Sequence, residues 1–463
     1  MRIDGKLSII LTLLYVVNSL VETNLSGAAL CFLQILFVAF LFFNGRRQKA
    51  IFWHLMFMVT SYCRLDFVAT EVSGLYNYFS LKLIGPITFS YVLSILLLLF
   101  SLKKSLNRDY ALFGKMRIIF YLYACVGFLL GLSGLLFSDY YFDVFIDDMV
   151  YIGILIVIIE LISRNDKGLL LKMCFDACIP LLIASVLGVA FNYIKGIHIM
   201  YGVVETYLQN SVFPFVCLGV LAIPQVKKKG VLISIFVLYL VLSLSIGASG
   251  KFFFNILLVA IVSLARVIQR KKIRSVMILS AIALFFVLFF HVTPSPIEGQ
   301  SANKLHQVQS LRGIFRGDIS SIDNSPYIRI ASIMDIYTEN MSNPVYFIAG
   351  RGYGGYFRDH LGILMLANLE QGGFKSEYIA RNKFPTAHST FATVPLLNGF
   401  GGFAMLLYLI VSYVCVGIKN NYLGTASLIW LLLMFYYNIL IGIVGILFLY
   451  SSEYKMSSNN INL

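Results

Sequence analysis

Between about Val292 and Thr390 the chain carries nine cations: Lys304, Arg312, Arg316, Arg329, Arg351, Arg358, Lys375, Arg381 and Lys383. A guanidinium grips phosphate oxygens through two parallel hydrogen bonds, so arginines gathered in one segment suit a phosphate-bearing anion. At the end of the same segment, His388-Ser389-Thr390 stands directly before an apolar run that opens at Phe391. Ser389 or Thr390 is of the right type to cap that helix, which sets His388 at a helix N-terminus. There the dipole disfavours a charged ring and favours a bound anion. A neutral imidazole beside a phosphate is suited to general-base work. Metal chemistry has no comparable signal in the polar segments, which hold no carboxylate or histidine cluster at ligand spacing. The seven cysteines fall in or at the ends of apolar runs, so neither a zinc site nor a disulfide framework is expected, and no cofactor.

The elements that must position these groups are hydrophobic. The 463 residues are 59% hydrophobic and 13% charged, whereas a soluble globule is nearer one half and one quarter. A helical span of the bilayer needs about 20 apolar residues, and runs of that kind recur from Leu7 to Tyr450. They predict spans near 7–21, 27–43, 51–68, 83–101, 118–137, 149–162, 173–194, 211–225, 231–247, 252–268, 275–291, 391–417 and 423–450. The last is one long tilted helix or two short ones, so the reading is an all-α polytopic membrane protein of about 12–14 transmembrane helices. No small-residue cleavage site follows the first span, which reads as a retained anchor. The chain divides into a bundle of about 11 spans at 1–291, a large loop at 292–390, and C-terminal spans with a polar tail at 391–463.

Charge sets the orientation. With Arg2 and Lys6 inside, alternation puts Arg46, Arg47 and Lys49, the cluster Lys103 to Arg117, Arg164 with Lys167, Lys227 to Lys229, and Arg266 to Arg274 on the cytoplasmic side. The opposite segments carry Glu71, Asp139, Asp143, Asp147, Asp148 and Glu205. The net charge of +14 is therefore a topology signal, not a nucleic-acid footprint. The loop at 292–390 then lies outside, and its cations break the positive-inside trend. Either an anionic ligand requires them, or a long outer domain is translocated whatever its charge. Its pattern predicts helices through Leu305 to Phe315, Tyr327 to Met341 and Asp359 to Leu369, with a glycine-rich turn at Gly350-Arg351-Gly352-Tyr353-Gly354-Gly355. The apolar stripe Leu305, Val308, Leu311 and Phe315 is expected to lie on the membrane surface, and Ile330, Ile333, Met334 and Tyr337 form a second stripe.

The ordered set Arg329, then Gly350, Gly352, Gly354 and Phe357, then His388-Ser389, then Gly399 and Gly402 resembles the bacterial O-antigen polymerase (Wzy) and O-antigen ligase superfamily. Ser249-Gly250-Lys251 looks like a variant of that family's outer Ser-Arg pair, with lysine for arginine, and Ser389 stands where asparagine is commoner. The resemblance covers roughly residues 200 to 420. It implies a GT-C-like glycosyltransferase architecture in the bacterial inner (cytoplasmic) membrane. The implied chemistry is metal-independent glycosyl transfer at the periplasmic face, on undecaprenyl-diphosphate-linked glycans. Breaking the glycosyl–diphosphate bond leaves a growing negative charge that fixed cations would stabilise. Arg329 and His388 are then the expected catalytic residues, with Arg351, Lys251, Arg312 and Arg316 as diphosphate ligands. Glu205, Tyr353 and Tyr356 are expected at the sugar, although outer aromatics also serve as interfacial anchors. Gly399 and Gly402 are read as positions of close helix packing. The divergent motifs favour polymerase, implying lipid-linked repeat units and a chain-length regulator (Wzz-type) protein as partners.

Two other readings stand beside it. A ligase would transfer the chain to lipid A–core with the same donor chemistry. A transporter or flippase would also need about a dozen spans, but such proteins show paired halves and charges within spans. Here the spans hold few formal charges (Arg64, Asp66, Glu160 and Asp176, near span ends), no repeat is visible, and a loop of this length is poorly explained by transport.

Overall fold

The computed structural model describes residues 4–21, 25–61, 76–79, 81–102, 111–164, 167–194, 324–369, 374–387 and 389–420, together with 230–231, 233–235 and 238. The expected spans at 211–225, 252–268, 275–291 and 423–450 lie outside the described residues, as does the first loop helix.

The described chain is mostly helical: α1 (Gly5–Val21), α2 (Leu25–Phe43), α3 (Arg47–Thr60), α4 (Phe89–Ser101), α5 (Ala111–Phe137), α6 (Phe142–Arg164) and α7 (Lys167–Ile194). Then follow α8 (Asn324–Met341), α9 (Pro344–Ala349), α10 (Ser376–Arg381) and α11 (Thr390–Asn420). Three stretches are long and apolar enough to cross a bilayer: Leu25–Phe43, Gly114–Phe137 and Thr390–Leu409. Their outer faces are apolar. Leu33, Leu36, Phe40 and Phe43 on α2, and Leu129 and Leu136 on α5, are more than 60% exposed, which suits lipid rather than water. The chain is therefore membrane-spanning.

The bundle packs α1 against α7, α2 against α3, and α4 and α5 against α6, and α11 closes onto α5. At one end of α5 and α6, the Arg117 guanidinium and the Tyr121 hydroxyl donate to Glu160, which Arg164 also meets one turn on. At the opposite end lie Asp139, Asp143 and Asp148, and there residues 344–369 and 374–387 dock, through Gly354, Lys375 and Lys383. Basic and acidic ends thus fall at opposite ends of the same helices, as the charge alternation requires.

Two expectations are corrected. The span expected at 83–101 begins later. Lys82–Ile84 and Ile87–Thr88 pair as a small antiparallel hairpin about Gly85-Pro86, because Gly85 takes φ +52° and Pro86 cannot extend a ladder. The Thr88 side chain then caps α4 by accepting from Tyr91 N–H. The helix expected over Asp359 to Leu369 is a single 3₁₀ turn at Leu364–Leu366, and a helix not anticipated appears at Ser376–Arg381. The apolar stripe Ile330, Ile333, Met334 and Tyr337 of α8 is partly buried or exposed, and the buried side is Tyr327, Ile328, Ala331, Ser332, Asp335, Ile336, Glu339 and Asn340. The helix turns its carboxylates inward because they bind the backbone of the segment that follows.

Candidate functional site

The glycine-rich turn after α9 is the joint that fixes the cap to the bundle. Asn343 caps α9, its side chain accepting from Val345 and Tyr346 N–H. Gly350, Gly352 and Gly354 then take φ of +74°, +77° and +70°. A side chain at Gly352 would stand 2.3 Å from the Gly131 nitrogen and 2.7 Å from the Gly127 oxygen of α5. Backbone meets backbone there, and only glycine on both partners allows it. Tyr353 N–H donates to Gly127 O at 2.9 Å, and Gly354 N–H to the Asp148 carboxylate at 3.0 Å. Gly399, expected only to ease helix packing, breaks α11 at φ +65°. In an unbroken helix Phe400 and Gly401 would occupy the carbonyls of Leu396 and Leu397. Here those carbonyls accept from Arg351 N–H at 2.7 Å and Gly352 N–H at 3.0 Å.

Arg351 lies at the centre of this joint, 8% exposed. Its Nη2 meets Glu339 Oε1 at 2.5 Å, and its guanidinium stacks over Tyr346, 4.3 Å from the ring centroid. Glu339 gathers further partners: Oε2 accepts from Arg358 N–H at 3.1 Å, and Oε1 lies 3.3 Å from His360 Nε2. One turn earlier on α8, Asp335 Oδ1 accepts from the N–H groups of His360 and Leu361, both at 3.1 Å. The second carboxyl, Asp359, lies beside Asp335 and accepts from Met365 N–H at 2.8 Å. Burial, with Asp359 alongside, pushes Asp335 up to about 6.

Phe357 exchanges backbone hydrogen bonds with Phe384 at 3.1 and 2.9 Å, and at Asp359 the chain turns, with His360 N–H donating to Arg358 O at 3.0 Å. Phe357 and Asp359 point inward, at 0% and 9% exposure. Arg358 and His360 point outward and are exposed.

The six described loop cations divide sharply. Four are matched by carboxylates: Arg351 by Glu339, Lys375 by Asp143, Arg381 by Glu377 and Lys383 by Asp139. The Asp139 contact raises the Lys383 ammonium, and Lys383 lowers Asp139 in turn. Arg329 and Arg358 are exposed and form no ion pair among the described residues. Arg358 only flanks the Tyr356 ring, 5.8 Å from its centroid.

The expected site residues fall into three groups. Arg329 is exposed on the first turns of α8. Arg351, Tyr353 and Tyr356 converge on the joint. Tyr353 is 1% exposed with its ring against Gly127, and Tyr356 is 7% exposed and flanked by Arg351, Arg358 and Lys383. Lys251, Glu205, Arg312, Arg316 and His388 lie outside the described residues. The expected side-chain cap of α11 is not formed. Ser389 Oγ and Thr390 Oγ1 are buried without hydrogen-bond partners, and Ser389 instead contributes its carbonyl to Ala392 and Thr393. Sequence reasoning missed Glu339, Asp335 and His360. The signal was their spacing: Asp335 and Glu339 are one turn apart, on the face that also carries Ile328, Ala331 and Ser332. Comparisons with protein-family models, with curated proteins and with solved structures give no match.

Proposed function

We propose that this membrane protein is a glycosyltransferase that polymerises polyprenyl-diphosphate-linked oligosaccharide repeat units into O-antigen or a related surface polysaccharide. In this reading the cap faces the periplasm, at the outer side of the bacterial inner membrane. The observation that carries the proposal is the division of the cap's cations. Among the described residues four are paired with carboxylates, while Arg329 and Arg358 are exposed and form no ion pair, on a cap anchored to the helix ends. Unmatched arginines held at a membrane boundary suit an anion delivered by a lipid, and a diphosphate is such an anion. The reaction moves a glycan from its diphosphate to an acceptor hydroxyl. The acceptor proton passes to a base, for which His388 is the candidate, and the electron pair of the broken C–O bond leaves with the diphosphate. Arg329 is the cation proposed to meet that developing charge, with Lys251, Arg312 and Arg316 as further ligands and Glu205 at the sugar.

The test is the surface glycan of a strain lacking the gene. A polymerase predicts a single repeat unit on the lipid core, with long chains restored by the wild-type gene. Accumulated lipid-linked polymer over a bare core would assign the ligase reaction instead. An unchanged glycan would refute both.

A further inference from the structure

We propose that Arg358 and His360 form a second functional edge of the cap, one that grips the departing diphosphate and supplies its proton. This rests on the reading above and deepens it. His360 is half-exposed, its side chain at 45%, and it is held from two directions. Its backbone N–H is fixed by Asp335 Oδ1 at 3.1 Å, and its ring Nε2 faces Glu339 Oε1 at 3.3 Å. Glu339 is itself fixed by Arg351 and by the Arg358 N–H. A carboxylate accepting from Nε2 sets the ring's orientation and leaves Nδ1 directed away from it, toward solvent. Among the described residues Nδ1 has no hydrogen-bond partner. Arg358 stands two residues earlier, across a turn in which His360 N–H donates to Arg358 O at 3.0 Å, so the two exposed side chains leave backbone positions no more than about 7 Å apart.

That spacing suits a diphosphate: a guanidinium fork for one phosphoryl group and a ring N–H for the other. The groups facing His360 are Glu339 on α8, Arg351 in the joint, Arg358 on its own segment and Asp335 beneath its backbone. As the glycosyl C–O bond breaks, its electron pair passes to the diphosphate oxygen. That oxygen takes the Nδ1 proton of the doubly protonated His360 ring, which is left neutral with its Nε2–H on Glu339, while the acceptor hydroxyl gives its proton to the separate base as its oxygen bonds to the anomeric carbon. One proton is released and one consumed, and exposed His360 is reprotonated from water. Arg351, by this reading, is a positioning residue acting through Glu339.

The experiment uses membranes from the gene-deleted strain, with the lipid-linked repeat units accumulated in them as substrate. To these are added the wild-type protein or the variants His360→Ala, His360→Gln, Arg358→Ala and Arg358→Lys. His360→Gln keeps a donor toward Glu339 but cannot give up a proton. The proposal expects both His360 variants to insert at normal levels and to lose about 10² to 10⁴ in polymerisation rate. Added imidazole should restore part of the rate to His360→Ala alone. Arg358→Lys should fail nearly as badly as Arg358→Ala. Wild-type turnover from either His360 variant would overturn the assignment. So would loss of both His360 variants from the membrane, which would mark the ring as structural. If the deleted strain shows a normal glycan, the polymerase reading itself fails; if its glycan is short and His360→Ala restores it, only this inference fails.

Discussion

Asp335→Asn should make the cap more stable, although it alters a fully buried and hydrogen-bonded side chain. Asp335 is 0% exposed, and its Oδ1 serves the N–H groups of His360 and Leu361. Its Oδ2 and the Oδ1 of Asp359 are both buried without a hydrogen-bond partner. Two carboxyls in reach of each other share a proton or repel. Burial and Asp359 raise Asp335 from 3.8 to about 6. A carboxyl held above its unfolded value contributes fully below that value, and the contribution is lost as pH rises through the folded one. The cap should therefore weaken from about pH 4 to about pH 6 and stay level above. At 1.36 kcal/mol per unit, the loss at neutral pH is on the order of 3 kcal/mol. Asparagine keeps the acceptor for His360 and Leu361, offers Asp359 a donor, and does not titrate. Hydrogen exchange of residues 357–366, corrected for intrinsic rates, should show protection rising on the order of 100-fold at pH 7.5 and little at pH 4. Asp335→Ala, which strands two amides, should instead lose about 1–3 kcal/mol. Equal pH dependence in wild type and Asp335→Asn, or faster exchange in Asp335→Asn at pH 7.5, would refute the shared-proton argument.

Further outcomes follow from the joint and from the proposed chemistry. Gly352→Ala should cost at least about 3 kcal/mol, since a positive φ and backbone contact at 2.3 Å act together. Gly153→Ala meets nothing within 4 Å and should be neutral or slightly stabilising; thermal stability in detergent compares the two. If Arg329 binds a diphosphate as a fork, Arg329→Lys should fail nearly as badly as Arg329→Ala, scored as long-chain glycan at equal protein level. His388→Ala should insert normally and lose about 10² to 10⁴ in rate, whereas wild-type polymer length would remove it from the chemistry. In intact cells whose protein has its native cysteines replaced, an impermeant thiol reagent should label Asp143→Cys and not Lys49→Cys. The reverse would invert the topology.

The bundle was legible because lipid imposes a simple rule: about 20 apolar residues per span, with basic residues on one side. That rule found α1, α2, α5, α6, α7 and α11 to within a few residues of one or both ends. It misplaced α4 because Leu83, Ile84 and Ile87 are as apolar as helix residues, and only Gly85-Pro86 marks the turn. The glycine-rich turn was also legible as a place of close approach, but not its partner. Gly127 and Gly131 on α5 read as ordinary small residues within a span, and nothing local says that Tyr353 will lie against them. The cap was misread for a different physical reason. Apolar periodicity finds the buried face of a helix only when burial is driven by carbon, and α8 buries Asp335, Glu339 and Asn340. Each of these is needed by a distant partner: His360 and Leu361 N–H, Arg351, and the Pro395 carbonyl. The chain gives the described part of the cap an apolar core, with Ile328, Ile336, Phe357, Leu364 and Phe384 buried, and adds polar ties to it. It ties the cap down with carboxylates aimed at backbone amides and at one buried guanidinium. That choice pairs Arg351 and, among the described residues, leaves Arg329 and Arg358 without an ion pair, a sorting by distant contacts that residue type cannot reveal.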